Sequence, residues 1–244
     1  MRILWRVVVI AVVSLMLLAC GKKAGIEGKV VDGKDNAISG VKIVAKQVQP
    51  IKGYEHFEVK SGSDGVFKFK GLFPSSDYVM SPWSDEWKTE AKVKVQSGPE
   101  GQTSMLGKPL VVRFTTAKDG LIVDSKLGLQ WVPSNGQAMN WFQADSWARS
   151  LNLRGGGWRL PTRAELKSLY DTSFEVHADP AFHIDGNWVW TSELDGPSNA
   201  WYFNFYTGDD KYSHSRGDNQ IHNLGYGPDG SFPYARGVAV RSQK

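Results

Sequence analysis

From residue 26 to residue 112 the chain alternates apolar and polar positions with a period of two. Val66-Phe67-Lys68-Phe69-Lys70 and Ala91-Lys92-Val93-Lys94-Val95 alternate strictly, with lysine on one side and an apolar residue on the other. Ile26 to Val31 and Gly40 to Ala45 add two more strands of the same kind. Asp32-Gly33, Asp64-Gly65 and Ser75-Ser76-Asp77 separate them as turns. Several short strands at this spacing predict an antiparallel β-sandwich. Residues 96–109, rich in Gly, Ser and Pro, are the softest stretch, and the boundary is placed just beyond them, at 113/114.

The pattern then changes. Two strands, Leu121 to Val123 and Leu127 to Val132, flank a turn at Asp124-Ser125-Lys126. Asn140 can cap a helix that brings Ala144, Trp147, Ala148 and Leu151 to one face, with Gly155-Gly156-Gly157 ending it. Thr162 and Glu165 form a capping box after Pro161, opening a helix that buries Leu166, Leu169 and Tyr170. Strands are predicted over 187–191, 200–205 and 235–241. Alternation sets Trp188 and Trp190 on one face, and Trp201, Phe203 and Phe205 on one face, which reads as core packing.

The N-terminus has its own pattern. Arg2 and Arg6 precede twelve uncharged residues, Val7 to Leu18. That is the shape of a secretory signal, because a membrane-spanning helix needs about 20 apolar residues. The run ends Leu17-Leu18-Ala19-Cys20, which resembles a bacterial lipobox. The resemblance implies removal of residues 1–19, diacylglycerol on the Cys20 thiol and an acyl group such as palmitate on the new amino terminus, several chains that together anchor the protein firmly to a membrane. Gly21 stands where an Asp resembles an inner-membrane retention signal, so the expected location is the outer membrane, on its periplasmic or cell-surface face. Residues 20–25 form the tether.

Composition narrows the function classes. There are 29 Lys and Arg against 25 Asp and Glu, a net charge of +4, which is too little for a nucleic-acid partner. From 20 to 112 every basic residue is Lys, fourteen against eleven acids, as expected of solvated strand faces and protected sheet edges. The one cysteine is Cys20, so the folded part has no disulfide, no cysteine-held metal and no thiol nucleophile. Seven of the ten Trp lie between 131 and 201. Trp83 and Trp87 sit in a loop-like stretch, where packing is the first reading and a contact patch the second.

Two family resemblances follow from quoted motifs. Gly28 to Asp32, Ile38 to Ile43, the Asp64-Gly65-Val66-Phe67-Lys68-Phe69 segment, Leu72-Phe73-Pro74 and Tyr78 resemble the carboxypeptidase regulatory-like family. This implies a small transthyretin-like or Ig-like β-sandwich over 26–113, serving as a spacer or docking unit. Trp158-Arg159-Leu160-Pro161-Thr162 with Glu165-Leu166 is the most specific signal in the chain. Together with Gly128 to Trp131, Trp188 to Ser192, Ala200 to Phe205 and Ala239 to Arg241, it resembles the Lcl C-terminal domain family, named after a bacterial collagen-like adhesin. This implies an α+β, C-type-lectin-like domain over 114–244 that engages a glycan or a protein surface. Arg159, set between apolar motif residues, is expected to make buried hydrogen bonds.

The segment from 206 to 234 reads as a long irregular connection, and such loops are often functional. Its Tyr, His, Arg, Asp and Asn side chains suit sugars and polar epitopes. The candidate ligand-binding residues are Tyr206, Asp209, Asp210, Tyr212, His214, Arg216, Asp218, Asn219, His222 and Tyr226. Arg216-Gly217-Asp218 spells an integrin-type tripeptide, read here as coincidence. Gly225, Gly227 and Gly230 match a dinucleotide spacing in letters only, since Pro228 and Pro233 preclude the helix that motif opens. His177 and His183 are six apart and His214 and His222 eight, which is not helical zinc spacing. Asp209, Asp210 and Asp218 read as solvated rather than as a calcium loop. No catalytic constellation and no cofactor motif stands out, so the expectation is a non-catalytic binding protein or adhesin with no metal and no cofactor. The alternative is a structural or assembly lipoprotein that docks an envelope complex through the β-sandwich.

Overall fold

The computed structural model describes residues 22–184, 188–218 and 235–243. Cys20 and the residues before it lie outside this range. Strands dominate, and no helix among the described residues is long and apolar enough to cross a membrane.

The N-terminal half contains β1 (Ala24–Asp32), β2 (Lys42–Gln47), β3 (His56–Lys60), β4 (Val66–Leu72), β5 (Asp77–Trp83), β6 (Trp87–Lys88), β7 (Val93–Gln96), β8 (Thr103–Met105) and β9 (Leu110–Val112). One sheet runs β4-β1-β8, with β9 also on β1; β4 is antiparallel to β1, whereas β8 and β9 are parallel to it. The other runs β3-β2-β5-β7, antiparallel throughout. The predicted alternation is realised in β4, where Phe67 and Phe69 turn inward and Lys68 and Lys70 outward. Those rings join Ile26, Val30, Ile43, Leu72, Tyr78 and Met80 in a single apolar cluster fed by both sheets. Burial pushes the Tyr78 phenol up, although its hydroxyl accepts the Phe73 amide at 3.1 Å.

The C-terminal half contains β10 (Phe114–Ala117), β11 (Ile122–Asp124), β12 (Leu129–Val132), α1 (Trp141–Ser150), α2 (Arg163–Lys167), β13 (Trp188–Asp195), β14 (Asn199–Asn204), β15 (Asp209–Ser215), β16 (Ala235–Arg236) and β17 (Ala239–Ser242). The first sheet is β17-β12-β11-β10-β6 and the second β15-β14-β13-β16. Two cores form, and β13 and β14 feed both. Val189, Phe203 and Phe205 pack with Trp131, Leu166 and Phe182. Trp190, Ala200 and Tyr202 pack with Ala144, Ala148 and Trp158. A sheet covered on both faces is rigid, because every inward residue on either side is fixed by neighbours.

Both predicted helix starts occur. Asn140 and Gln143 form one capping box and Thr162 and Glu165 the other. The end of α1 differs from expectation: it stops at Ser150, because Leu151 turns extended, before the three glycines are reached. The carbonyls of Leu153, Arg154 and Gly156 instead converge on Arg241, whose Nη1 donates to them at 3.2, 2.9 and 2.8 Å. Arg241 is nearly buried, bonded to Gln130 and stacked 4.7 Å from the Trp158 ring centre. The strand expected over 235–241 is two short strands in different sheets, β16 against β13 and β17 against β12.

The halves are stitched together. β6 leaves the strands around it and pairs with β10, Trp87 opposite Ala117. Thr89 Oγ1 donates to the Phe114 carbonyl at 2.8 Å, and the Gly33 amide donates to Ser125 Oγ at 2.8 Å. Trp87 packs against the N-terminal core, while Trp83 at the end of β5 is 45% exposed with the Lys42 ammonium 4.3 Å from its ring centre.

Candidate binding surface

Five of the ten predicted site residues, Tyr206, Asp209, Asp210, Tyr212 and His214, lie in the hairpin β14–β15. Residues 209–215 are a strand, not the irregular loop expected from the sequence. The sequence hides this strand because Asp-Asp-Lys-Tyr-Ser-His-Ser contains no aliphatic residue; β15 lies at a sheet edge and is held mainly by its backbone ladder to β14.

In the register across the sheet, Trp190 faces Tyr202 and Tyr202 faces Tyr212. Trp190 meets Tyr202 edge to face with centres 6.2 Å apart, and Tyr202 stacks on Tyr212 at 6.4 Å with 19° between planes. This aromatic row starts in the core and ends at the surface: Trp190 is fully buried, Tyr202 nearly so, and Tyr212 38% exposed. Burial, then the neighbouring Tyr212, pushes the Tyr202 phenol up to about 12. The Lys211 ammonium lies 5.5 Å from the Tyr212 ring centre.

The opposite face carries a cluster that sequence reasoning did not assemble. Trp201, expected in the core with Phe203 and Phe205, is only half-buried, and the Arg163 guanidinium sits 4.6 Å from its ring centre. Glu193 accepts both the Arg163 amide, at 2.8 Å, and its Nε, at 2.7 Å. Arg163 Nη1 also donates to the Asp210 carbonyl, while Lys167 faces the Asp210 carboxylate at 3.8 Å. The available signal was Arg163 at the first position of a capped helix, but nothing local tied that helix to β14.

The candidate residues divide between two ends of the hairpin. Tyr206, 67% exposed, lies at the turn, its ring 6.2 Å from His177, whose Nδ1 is 2.9 Å from the Phe205 carbonyl oxygen. Gly208 has φ 77°, and a Cβ there would lie 2.9 Å from the Tyr170 ring, so the turn needs glycine. Asp209 pairs with Lys211 at 3.1 Å, and that ammonium and Thr207 hold its carboxyl below the usual range.

At the far end His214 is nearly buried and lies 3.8 Å from the Asp218 carboxylate. Arg216 stacks on Phe142 at 4.9 Å and Trp141 at 5.5 Å and donates to the Pro197 carbonyl. Its own carbonyl accepts the Trp141 amide at 3.1 Å, so Arg216 clamps α1 to the hairpin rather than presenting a free guanidinium. The integrin-type reading of 216–218 loses its arginine by that contact. Strand geometry puts Tyr206 and Arg216 about 20 Å apart, so the structure does not gather them into one pocket. Asp209 and Asp210 are likewise separated from Asp218 by the length of β15, and among the described residues no three His, Cys, Asp or Glu side chains could share a metal ion. Asn219, His222 and Tyr226 lie outside the described residues.

Arg159 makes the expected hydrogen bonds but is not buried, its side chain being 38% exposed. Its Nη1 and Nη2 bond both oxygens of Glu165 at 2.8 and 2.7 Å, and Nη1 also reaches the Leu160 carbonyl.

Residues 120–223 match the family model of the Lcl C-terminal domain. No curated protein matches the chain. Among solved structures, it is similar to the C-terminal fragment of the pilus adhesin SpaC from Lactobacillus rhamnosus GG, at 13% identity and a TM-score of 0.25. That alignment covers 43% of this chain and 35% of the other, so the chain spans about a third of that structure.

Proposed function

We propose that the protein is a lipid-anchored outer-membrane lipoprotein whose C-terminal half, a C-type-lectin-like head, binds a glycan or a protein surface without catalysing a reaction. A transthyretin-like sandwich carries the head. The observation behind this reading is the aromatic and charged surface of the β14–β15 hairpin: Tyr206 at its turn and Tyr212 on β15 stand exposed beside a sheet packed on both faces. Aromatic rings fixed by a rigid support, beside charged and amide groups, suit stacking against sugar rings and hydrogen bonding to hydroxyls. The family match over residues 120–223 supports a surface-binding role.

The test is a screen of residues 21–244 against an array of glycans and sulfated polysaccharides, beside Tyr206→Ala and Tyr212→Ala forms. Loss of a signal on substitution places the site on the hairpin. Folded protein that binds nothing removes the lectin reading. The second reading, docking of an envelope complex through the N-terminal half, draws on exposed Trp83 beside a cavity of about 560 Å³. It then predicts a co-purifying envelope protein that Trp83→Ala releases.

A further inference from the structure

The seam between the two halves holds a carboxyl group in an unusual setting. Asp179 is 7% exposed, yet it lines two adjoining cavities, of about 450 and 280 Å³, which also share Thr89 and Phe114. One of its oxygens accepts the Ala181 amide at 2.9 Å, capping a short 3-10 turn over Pro180–Phe182. Among the described residues Asp179 forms no ion pair. Arg113, which lines the smaller cavity with Asp179, is already committed to Asp124 and Ser168. The charged neighbours that act on Asp179 are otherwise acids, Glu90 and Asp171. A buried carboxylate without a counter-cation is costly in a folded chain, and natural cores pair such groups.

We infer that this seam is a binding site for an organic cation, an alkylammonium or guanidinium group on an apolar stem. The charge is set by Asp179 with Glu90 and Asp171 behind it. The stem is matched by the smaller cavity, whose lining includes Val111, Phe114, Leu169 and Phe174 beside Arg113, Tyr170 and Asp171. A metal ion does not suit the same place, since no three acidic or His side chains among the described residues converge on a point. A lysine or arginine side chain of a peptide and a free alkylamine both supply this chemistry. The site is separate from the hairpin surface and stands whether or not the hairpin binds a glycan.

The same carboxyl makes binding dependent on pH. Burial, and then the like charges of Glu90 and Asp171, raise the Asp179 carboxyl above its ordinary value; the Ala181 amide and the charge of Arg113 oppose this. The titratable groups that line the larger cavity with Asp179 are Lys88, Glu90 and His183, and those that line the smaller one are Arg113, Tyr170 and Asp171. An alkylamine stays charged throughout the range, so affinity falls as Asp179 takes up its proton.

The experiment is calorimetric titration of the full chain with n-butylamine, with the peptide acetyl-Ala-Lys-Ala-amide, and with n-butanol as the neutral control. Asn caps as well as Asp does, so Asp179→Asn keeps the turn and removes the charge. The expected result is binding of at least one cationic probe at pH 8 and none of butanol. That binding weakens about tenfold or more in Asp179→Asn, and it weakens in the native chain as the pH is lowered. The peptide binding more tightly points to a polypeptide ligand, and the free amine binding as well or better points to a small amine; both support the site. No cation binding, or equal binding by Asp179→Asn and no pH dependence, overturns it.

Discussion

Arg113 and Asp124 form a two-pronged ion pair, Nε to Oδ1 at 3.1 Å and Nη2 to Oδ2 at 2.9 Å, and Asp124 is fully buried. The same guanidinium donates to the Ser168 carbonyl at 2.6 Å, so one side chain ties the turn after β11 to the end of α2. Arg113 lies where the two halves of the chain meet, between β9 and β10.

Removing one partner of a buried pair leaves the other charged and unmatched. Arg113→Ala is therefore expected to cost about 3–5 kcal/mol. Replacing both partners with apolar residues of similar volume is expected to cost far less. Urea unfolding of the two variants checks the contrast.

Glu165 gives stability a definite pH dependence. Burial raises its carboxyl, but Arg159 and the Thr162 amide and hydroxyl outweigh that and hold it below its ordinary value. A folded-state value that is depressed means stability is present above the unfolded value and lost as the pH falls through the folded one. Native Tm is thus expected to drop on acidification below about pH 4.5, and Glu165→Gln to flatten that part of the Tm profile while lowering Tm at neutral pH.

Asp179 has the opposite sign. Its carboxyl is raised in the folded state by burial, so folding favours its protonated form and the charge destabilises the fold above the usual carboxylate range. Asp179→Asn is expected to raise Tm at pH 7 and to leave it nearly unchanged at pH 3. A fall in Tm at pH 7 would contradict the assignment.

The aromatic row divides scaffold from surface. Trp190→Ala empties a fully buried site and is expected to cost about 3–5 kcal/mol. Tyr212→Ala, at the exposed end of the row, is expected to cost about 1 kcal/mol or less. Thermal unfolding of the two variants measures the gradient.

Gly65 has φ 77°, and a Cβ there would lie 2.5 Å from the Val30 carbonyl oxygen. Both the dihedral and the backbone contact oppose substitution. Gly65→Ala is expected to lose about 2 kcal/mol or more by chemical denaturation.

In the N-terminal half β1, β2, β4 and β7 were legible from their apolar runs, most clearly β4, which alternates inward phenylalanines with outward lysines, whereas β3, β5 and β8 were not read from the sequence. The starts of α1 and α2 were legible because capping is a local transaction between residues three apart. What could not be read depends on distant partners. The strand β15 takes its order from β14, and β6 has only two residues and a partner 28 positions away. The three glycines after α1 mark a bend shaped by Arg241, which lies far along the chain. The candidate site was legible in composition but not in grouping: Tyr206 and Arg216 are ten residues apart and stand at opposite ends of a strand.

The parallel pairing of β1 with β9, Val30 beside Leu110 and Asp32 beside Val112, has a mechanical meaning. Tension drawn between the start of β1 and the chain leaving β9 pulls these two strands along their length in opposite directions. Their hydrogen bonds are then strained in shear, all together, whereas the ends of a hairpin pulled apart would open like a zipper, one bond at a time. Traction applied in that way is resisted by this pairing together with the parallel pairing of β1 with β8 beside it.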